Sequence, residues 1–187
     1  MLIAEDMQAE IAIWQRHLGS ERRLSPLTLE AYGRDVRQFF VFLAEHWGGA
    51  PAPAALQDLK PTDIRAFMAR RRAESVESRT LMRQLAALRS LFRWLERQGK
   101  APASPFSAVR SPRIRKGLPK PLPPDAARSL ADAGLRAGEE RPQWVLARDA
   151  AVLALLYGSG LRIAEALSLR RRDAPGANDS LTVTGKG

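Results

Sequence analysis

The sequence predicts a mainly α chain of two parts, a four-helix bundle followed by the opening part of an α+β domain, on three observations. Apolar residues recur at three- and four-residue spacing in four successive stretches between residues 7 and 98. A stretch from 100 to 124 then carries seven prolines, which prevent regular structure and mark a boundary. Beyond it the pattern changes to a long apolar run, a glycine-flanked turn and a short β-prone segment, residues 181–184. The chain therefore divides into residues 1–112 and 113–187.

Composition bounds the function. With 45% hydrophobic and 27% charged residues in 187, the chain has the balance of a globular protein and not of a disordered one. It has no cysteine and only two histidines, His17 and His46, so neither a thiolate metal site nor a His/Asp/Glu cluster with ligand spacing is expected. No apolar run approaches the roughly 18 residues of a membrane span. The N-terminal MLIAEDMQAE places acids where a signal peptide needs cations. No membrane insertion and a cytoplasmic location are expected. The net charge of +10 implies a polyanionic partner, unless the Arg-, Ala- and Pro-rich composition merely reflects GC-rich coding. The positions of the arginines have to decide.

Residues 7–18 carry Ile11, Trp14 and Leu18 on one stripe, a first amphipathic helix ended by Gly19 and Ser20. Ser25 and Pro26 open a second as N-cap and first residue. Its broad apolar face is Leu29, Tyr32, Val36, Phe39, Phe40 and Leu43, and Gly48-Gly49 stop it. Residues 50–60 read as a Pro/Ala loop. A third helix begins after Pro61 with Thr62 or Asp63 as cap, turns Ile64, Phe67 and Met68 inward, and ends in Arg70-Arg71-Arg72, a solvated terminus favoured by the helix dipole.

The fourth helix, residues 78–98, is the most informative part of this half. At 100° per residue, Leu81, Leu85, Leu88, Phe92 and Leu95 form a narrow buried stripe. Arg79, Arg83, Arg89, Arg93 and Arg97 fall opposite, and Glu96, the acid of this helix, lies outside their arc. A solvated face usually mixes signs. An arc without interleaved carboxylates leaves repulsion uncompensated unless an anion lies alongside, which points to a nucleic-acid face; the alternative is a solvated one. Thr80 and Ser90 lie near it.

From residue 100 the Pro-rich stretch reads as an extended, fairly stiff linker, with Arg110, Arg113, Arg115, Lys116 and Lys120 unopposed by any acid. Such a linker suits crossing a DNA backbone and is equally a plain interdomain connection; the two are compatible. Residues 124–133 then read as a short helix with Asp125 at its start, and 138–142 as a turn. Residues 143–157 are apolar nearly all round, which predicts a buried central helix in which Arg148 or Asp149 finds a partner. Gly158-Ser159-Gly160 delivers Arg162 to the first turn of a short amphipathic helix, and Lys186 follows the β-segment between Gly185 and Gly187. Two cations on glycine-set backbone suit phosphate chemistry.

These residues resemble a known family. LLYGSGLRIAEALSLRRRD is similar to the first motif box of the tyrosine recombinases (phage integrase family), the Xer recombinases in particular, and LTVTGKG resembles the strand and turn that present their catalytic lysine. ERRLSPLTLEAYGRDVRQF and LAALRSLFRWL resemble the second and fourth helices of their core-binding domain. The resemblance implies DNA cleavage by a tyrosine hydroxyl through a 3′-phosphotyrosyl link, with no metal and no other cofactor. It implies that Arg162 is the first catalytic arginine and Lys186 the general acid. Glu165 and Asp173, close to the arginine in sequence, read as residues that support it or as structural ones, with Glu165 orienting Arg162. Arg79, Arg83, Arg89, Arg93, Arg97, Arg113, Arg115 and Lys116 become the DNA-binding set, the second and fourth helices meeting the major groove of a clamped duplex. A related recombinase in a tetrameric synaptic complex is the implied partner, and chromosome dimer resolution at cell division the implied role; a phage or transposon integrase, or a non-catalytic DNA-binding protein, is the alternative. The family's His-x-x-Arg box, a further His or Trp and the nucleophilic tyrosine find no match. The two tyrosines, Tyr32 and Tyr157, read as core residues. The chain is expected to be the N-terminal part of a longer recombinase, or a truncated product, which binds DNA without forming the covalent intermediate.

Overall fold

The computed structural model describes residues 3–114, 121–132, 140–174, 180–183 and 185. The chain forms two compact units, Met1–Lys116 and Gly117–Gly187.

In the first unit, α1 (Glu5–Ser20) starts with Glu5 and Asp6, which complement the helix dipole, and buries Met7, Ile11, Trp14 and Leu18. It continues through Gly19 and Ser20, which the sequence reading placed as its end; the amides of Glu21 and Arg22 close it on the His17 carbonyl. α2 (Pro26–Trp47) is capped as expected, the Ser25 hydroxyl accepting from the Thr28 amide. Gly48 ends it with φ +76°, a left-handed conformation that glycine adopts without a Cβ clash.

The expected 50–60 loop contains a 3-10 helix (Pro53–Asp58) that buries Leu56, with Leu59 buried just after it. Two leucines three residues apart match the 3-10 period but are too few to register as a pattern. α3 (Pro61–Ala73) buries Ile64, Phe67 and Met68. Asp63 does serve its N-terminus, but from the third position, accepting from the Lys60 amide at 2.8 Å. At its far end Arg70 pairs with Glu45 and Glu74, and Arg71 with Glu74.

α4 (Ser78–Arg97) buries the expected stripe and also Gln84, Ala87, Leu91 and Trp94, because α1 and α2 both pack against it. Gly99 (φ +69°) closes its C-terminus: its amide donates to Glu96 O and that of Lys100 to Leu95 O. The chain does not leave the bundle there. Ala101, Phe106 and Val109 are buried and residues Ser104–Ser107 form a single turn, α5. The extended linker expected from residue 100 therefore gives way to packed chain as far as Val109. Pro105 is tolerated because it lies in the first turn, where its missing N–H has no acceptor to lose. Phe106 lies 4.5 Å from Phe92 and 6.1 Å from Phe39, and Phe39 also meets Phe40, Phe67 and Phe92 edge-on. This aromatic cluster is the centre of the unit.

The second unit contains α6 (Pro124–Ala131), α7 (Gln143–Gly158), α8 (Ile163–Ser168) and a 3-10 turn, Arg171–Asp173. Two expectations fail here. In α7 only Leu146 is buried, and Trp144 and Tyr157 are exposed, Tyr157 at 86%. Among the described residues α6 and α8 supply the main packing on α7, and a helix apolar all round needs cover on every side. Residues 181–183 are not a strand, because a strand requires a paired neighbour and none is found among the described residues. Arg148 and Asp149 both find partners: they pair with each other at 2.7 Å, and Asp149 also meets Arg141 at 3.7 Å.

Candidate nucleic-acid interface

With its leucine stripe turned inward, α4 must present residues 79, 83, 86, 90, 93 and 97 outward. Arg79, Arg93 and Arg97 are exposed, and no acidic partner is found for them among the described residues. A rise of ~1.5 Å per residue spreads the three over roughly 27 Å of helix. The other two arginines of the arc differ from the expectation of an unopposed row. Arg83 donates through Nε and Nη2 to both oxygens of Asp35, at 2.8 and 3.1 Å. Arg89 donates to the carbonyls of Phe106 and Val109 and to Ser111 Oγ, and so fastens the tail of the bundle. The Asp35 hydrogen bond raises the Arg83 pKa above its already high ordinary value, so the guanidinium stays charged.

A wheel of one helix cannot show a carboxylate arriving from another. Asp35 sits on α2, 48 residues away in sequence, and is 1% exposed. Sequence reasoning also passed over exposed Arg22, Arg34 and Arg37. Arg22 lines a cleft of about 550 Å³ with Tyr32, Ala86, Ser90, Arg93 and Arg97. Arg34 and Arg37 line a smaller groove beside Phe42, Phe67 and Arg70. The signal for α2 was present for Arg34, which lies roughly opposite Val36 and Phe40 on the helical period, but Glu30 and Glu45 on that face obscured it; Arg37 lies at the flank of the apolar face. Tyr32 is half-buried and stacks on Trp14 with ring centroids 6.3 Å apart.

Arg113 is exposed; Arg115 and Lys116 lie outside the described residues. Lys186 does too, so its placement beside Arg162 is not described. Arg162 is the N-cap of α8, entered from Gly160 (φ +64°). Glu165 accepts from the Arg162 amide at 2.8 Å and from its guanidinium Nη1 at 2.7 Å, which leaves the arginine side chain 74% exposed but held from one side. The amide hydrogen bond, and then the guanidinium, keep the Glu165 carboxyl below its ordinary range. A depressed carboxyl pKa stabilises this clasp above the unfolded value, and the contribution is lost as pH falls through the folded one. The Arg162 amide resonance should accordingly hold steady from neutral pH to about 4.3 and move only below it; movement centred near pH 6 would contradict the clasp.

Among the described residues no group of acids and histidines could hold a metal, and no helix is long and apolar enough to cross a membrane. The first unit thus offers a cationic helix face with small residues between the cations, which is chemistry for binding a polyanion.

Residues 11–99 match the phage integrase N-terminal SAM-like domain, which defines the class of the first unit. The chain belongs to the tyrosine recombinase (phage integrase) family, Xer type. It is 59% identical over 95% of its length to tyrosine recombinase XerC of Bradyrhizobium diazoefficiens and 58% identical over all of it to that of Methylobacterium nodulans. The counterpart in Nitrobacter winogradskyi is 55% identical over 98% of the chain. The chain spans 56 to 58% of the length of these relatives.

Proposed function

We propose that the chain supplies the duplex-DNA-binding bundle and the first catalytic box of a site-specific recombinase that cuts and rejoins DNA through a 3′-phosphotyrosyl intermediate. Residues 1–112 bind the duplex and 113–187 begin the catalytic domain. The observation that carries this reading is the outward run of Arg79, Arg93 and Arg97 on α4, for which no acidic partner is found among the described residues. Arg162, steadied by Glu165, clamps the non-bridging oxygens of the scissile phosphate as charge develops on them. Lys186 protonates the departing 5′-oxygen. Arg113, Arg115 and Lys116 follow the backbone between the two parts. In a protein spanning the full length of the relatives, these parts act in a tetramer with a related recombinase. It resolves chromosome dimers at cell division, in the cytoplasm.

Neither tyrosine takes the nucleophile's place in this reading: Tyr32 is stacked in the bundle and Tyr157 lies in the box ahead of Arg162. On a nicked suicide duplex, this 187-residue chain should shift the DNA in a native gel and leave no denaturation-resistant protein–DNA band. Such a band would assign the nucleophile to Tyr32 or Tyr157, while the absence of any shift at low salt would remove the DNA-binding reading itself.

A further inference from the structure

We infer that Arg83 reads a guanine in the duplex and that Asp35 is the positioning residue that fixes it for this task. The inference rests on the DNA-binding reading above and adds a sequence preference to it.

The geometry is that of a side-on clasp. Asp35 receives Nε–H and one Nη2–H, which uses one edge of the guanidinium. Three of the five N–H groups remain, and two of these, one from each Nη, run parallel along the outer edge. No protein acceptor for Nη1 is found among the described residues. Asp35 is 1% exposed and the Arg83 side chain 38%, so the carboxylate is inside the bundle while part of the arginine side chain reaches solvent. Two parallel donors on a rigid plane match the O6 and N7 acceptors of guanine in the major groove.

A phosphate contact explains the arrangement less well. The pair is neutral overall, so it adds little to backbone attraction, and the free arginines at 79, 93 and 97 already provide that. A phosphate also gains little from a pre-set side chain, whereas a base edge must be met in one plane. Fixing the guanidinium in the folded protein removes rotamer freedom that would otherwise be lost on binding. The neighbours agree. Ala86 and Ser90, one and two turns along the same face, are small enough to let the helix approach the groove floor, with cations before and after them to straddle the phosphates.

The rival is a clasp that only joins α2 to α4. To separate the two, the 187-residue chain is used to select a preferred site from randomised duplex, and each enriched guanine is then replaced by 7-deazaguanine. One position should weaken wild-type binding by about fivefold to tenfold, since the replacement removes N7, one of the two acceptors, and leaves a guanidinium N–H unpaired. Arg83→Lys keeps the charge opposite Asp35 but loses the fork. It should be indifferent to the same replacement. Asp35→Asn should blunt the preference in the same direction. If no guanine replacement weakens the wild type, or if Arg83→Lys retains the full penalty, Arg83 is a structural clasp only. Absence of any effect in the wild type decides against Arg83 even where a variant folds poorly. Failure to bind any duplex at low salt would instead sink the underlying reading.

Discussion

Phe39→Ala should destabilise the bundle by about 3–5 kcal/mol, the cost of removing a fully buried phenylalanine together with the cavity it leaves. Phe39 is completely buried and its ring meets those of Phe40, Phe67, Phe92 and Phe106 at centroid distances of 5.2 to 6.2 Å, all edge-on. Four ring contacts disappear at once, and those rings come from α2, α3, α4 and α5, so no single helix can shift to fill the space. Against a total stability of roughly 5–15 kcal/mol this is a large fraction. The thermal midpoint of the bundle, followed by circular dichroism, should fall by at least about 10 °C. The consequence reaches the interface, because the same cluster holds α2 and α4 at the spacing that lets Asp35 meet Arg83. A drop of only a degree or two would mean that the aromatic cluster is not the organising core.

The second large effect is on binding. Replacing Arg79, Arg93 and Arg97 together by Gln should leave folding nearly unchanged, since exposed positions away from special contacts move stability within about 0.5 kcal/mol. Duplex affinity should nevertheless fall on the order of 100-fold near physiological salt. Each neutralised phosphate contributes ~0.9 to the slope of log K against log salt, and three such contacts amount to roughly two decades at that ionic strength. Arg89→Gln is the informative control. Its guanidinium is occupied by the Phe106 and Val109 carbonyls, so it should lower stability while affecting affinity little. Of the five arginines in the arc, three have no acidic partner among the described residues, one is tied to the bundle's tail and one is clasped by Asp35.

That division marks the limit of what one sequence shows. Periodicity within a helix was legible: the inward face of α4, the Ser25-Pro26 start of α2, the Gly48 and Gly99 stops and the Arg162 turn all follow from local rules. Partners from distant sequence were not. Asp35 looked like one more polar residue on α2, yet its burial against Arg83 changes what the arginine arc means. Prolines concealed the packing of Phe106, because proline speaks against helix interiors and not against a single buried turn. The apolar circumference of α7 announced a need for cover without saying what provides it, and Tyr157 is exposed as a result. Of the pair proposed for catalysis, only Arg162 falls among the described residues, and its clasp by Glu165 agrees with the orienting role expected of that acid.

The central claim is that the α4 arginine face binds duplex DNA through its phosphates. The salt dependence of duplex affinity, measured side by side for the wild type and the Arg79, Arg93, Arg97 to Gln variant, tests it most directly. A steep wild-type slope that drops by about 3 in the variant is the predicted result. Binding that ignores salt, or equal slopes for the two proteins, would contradict it.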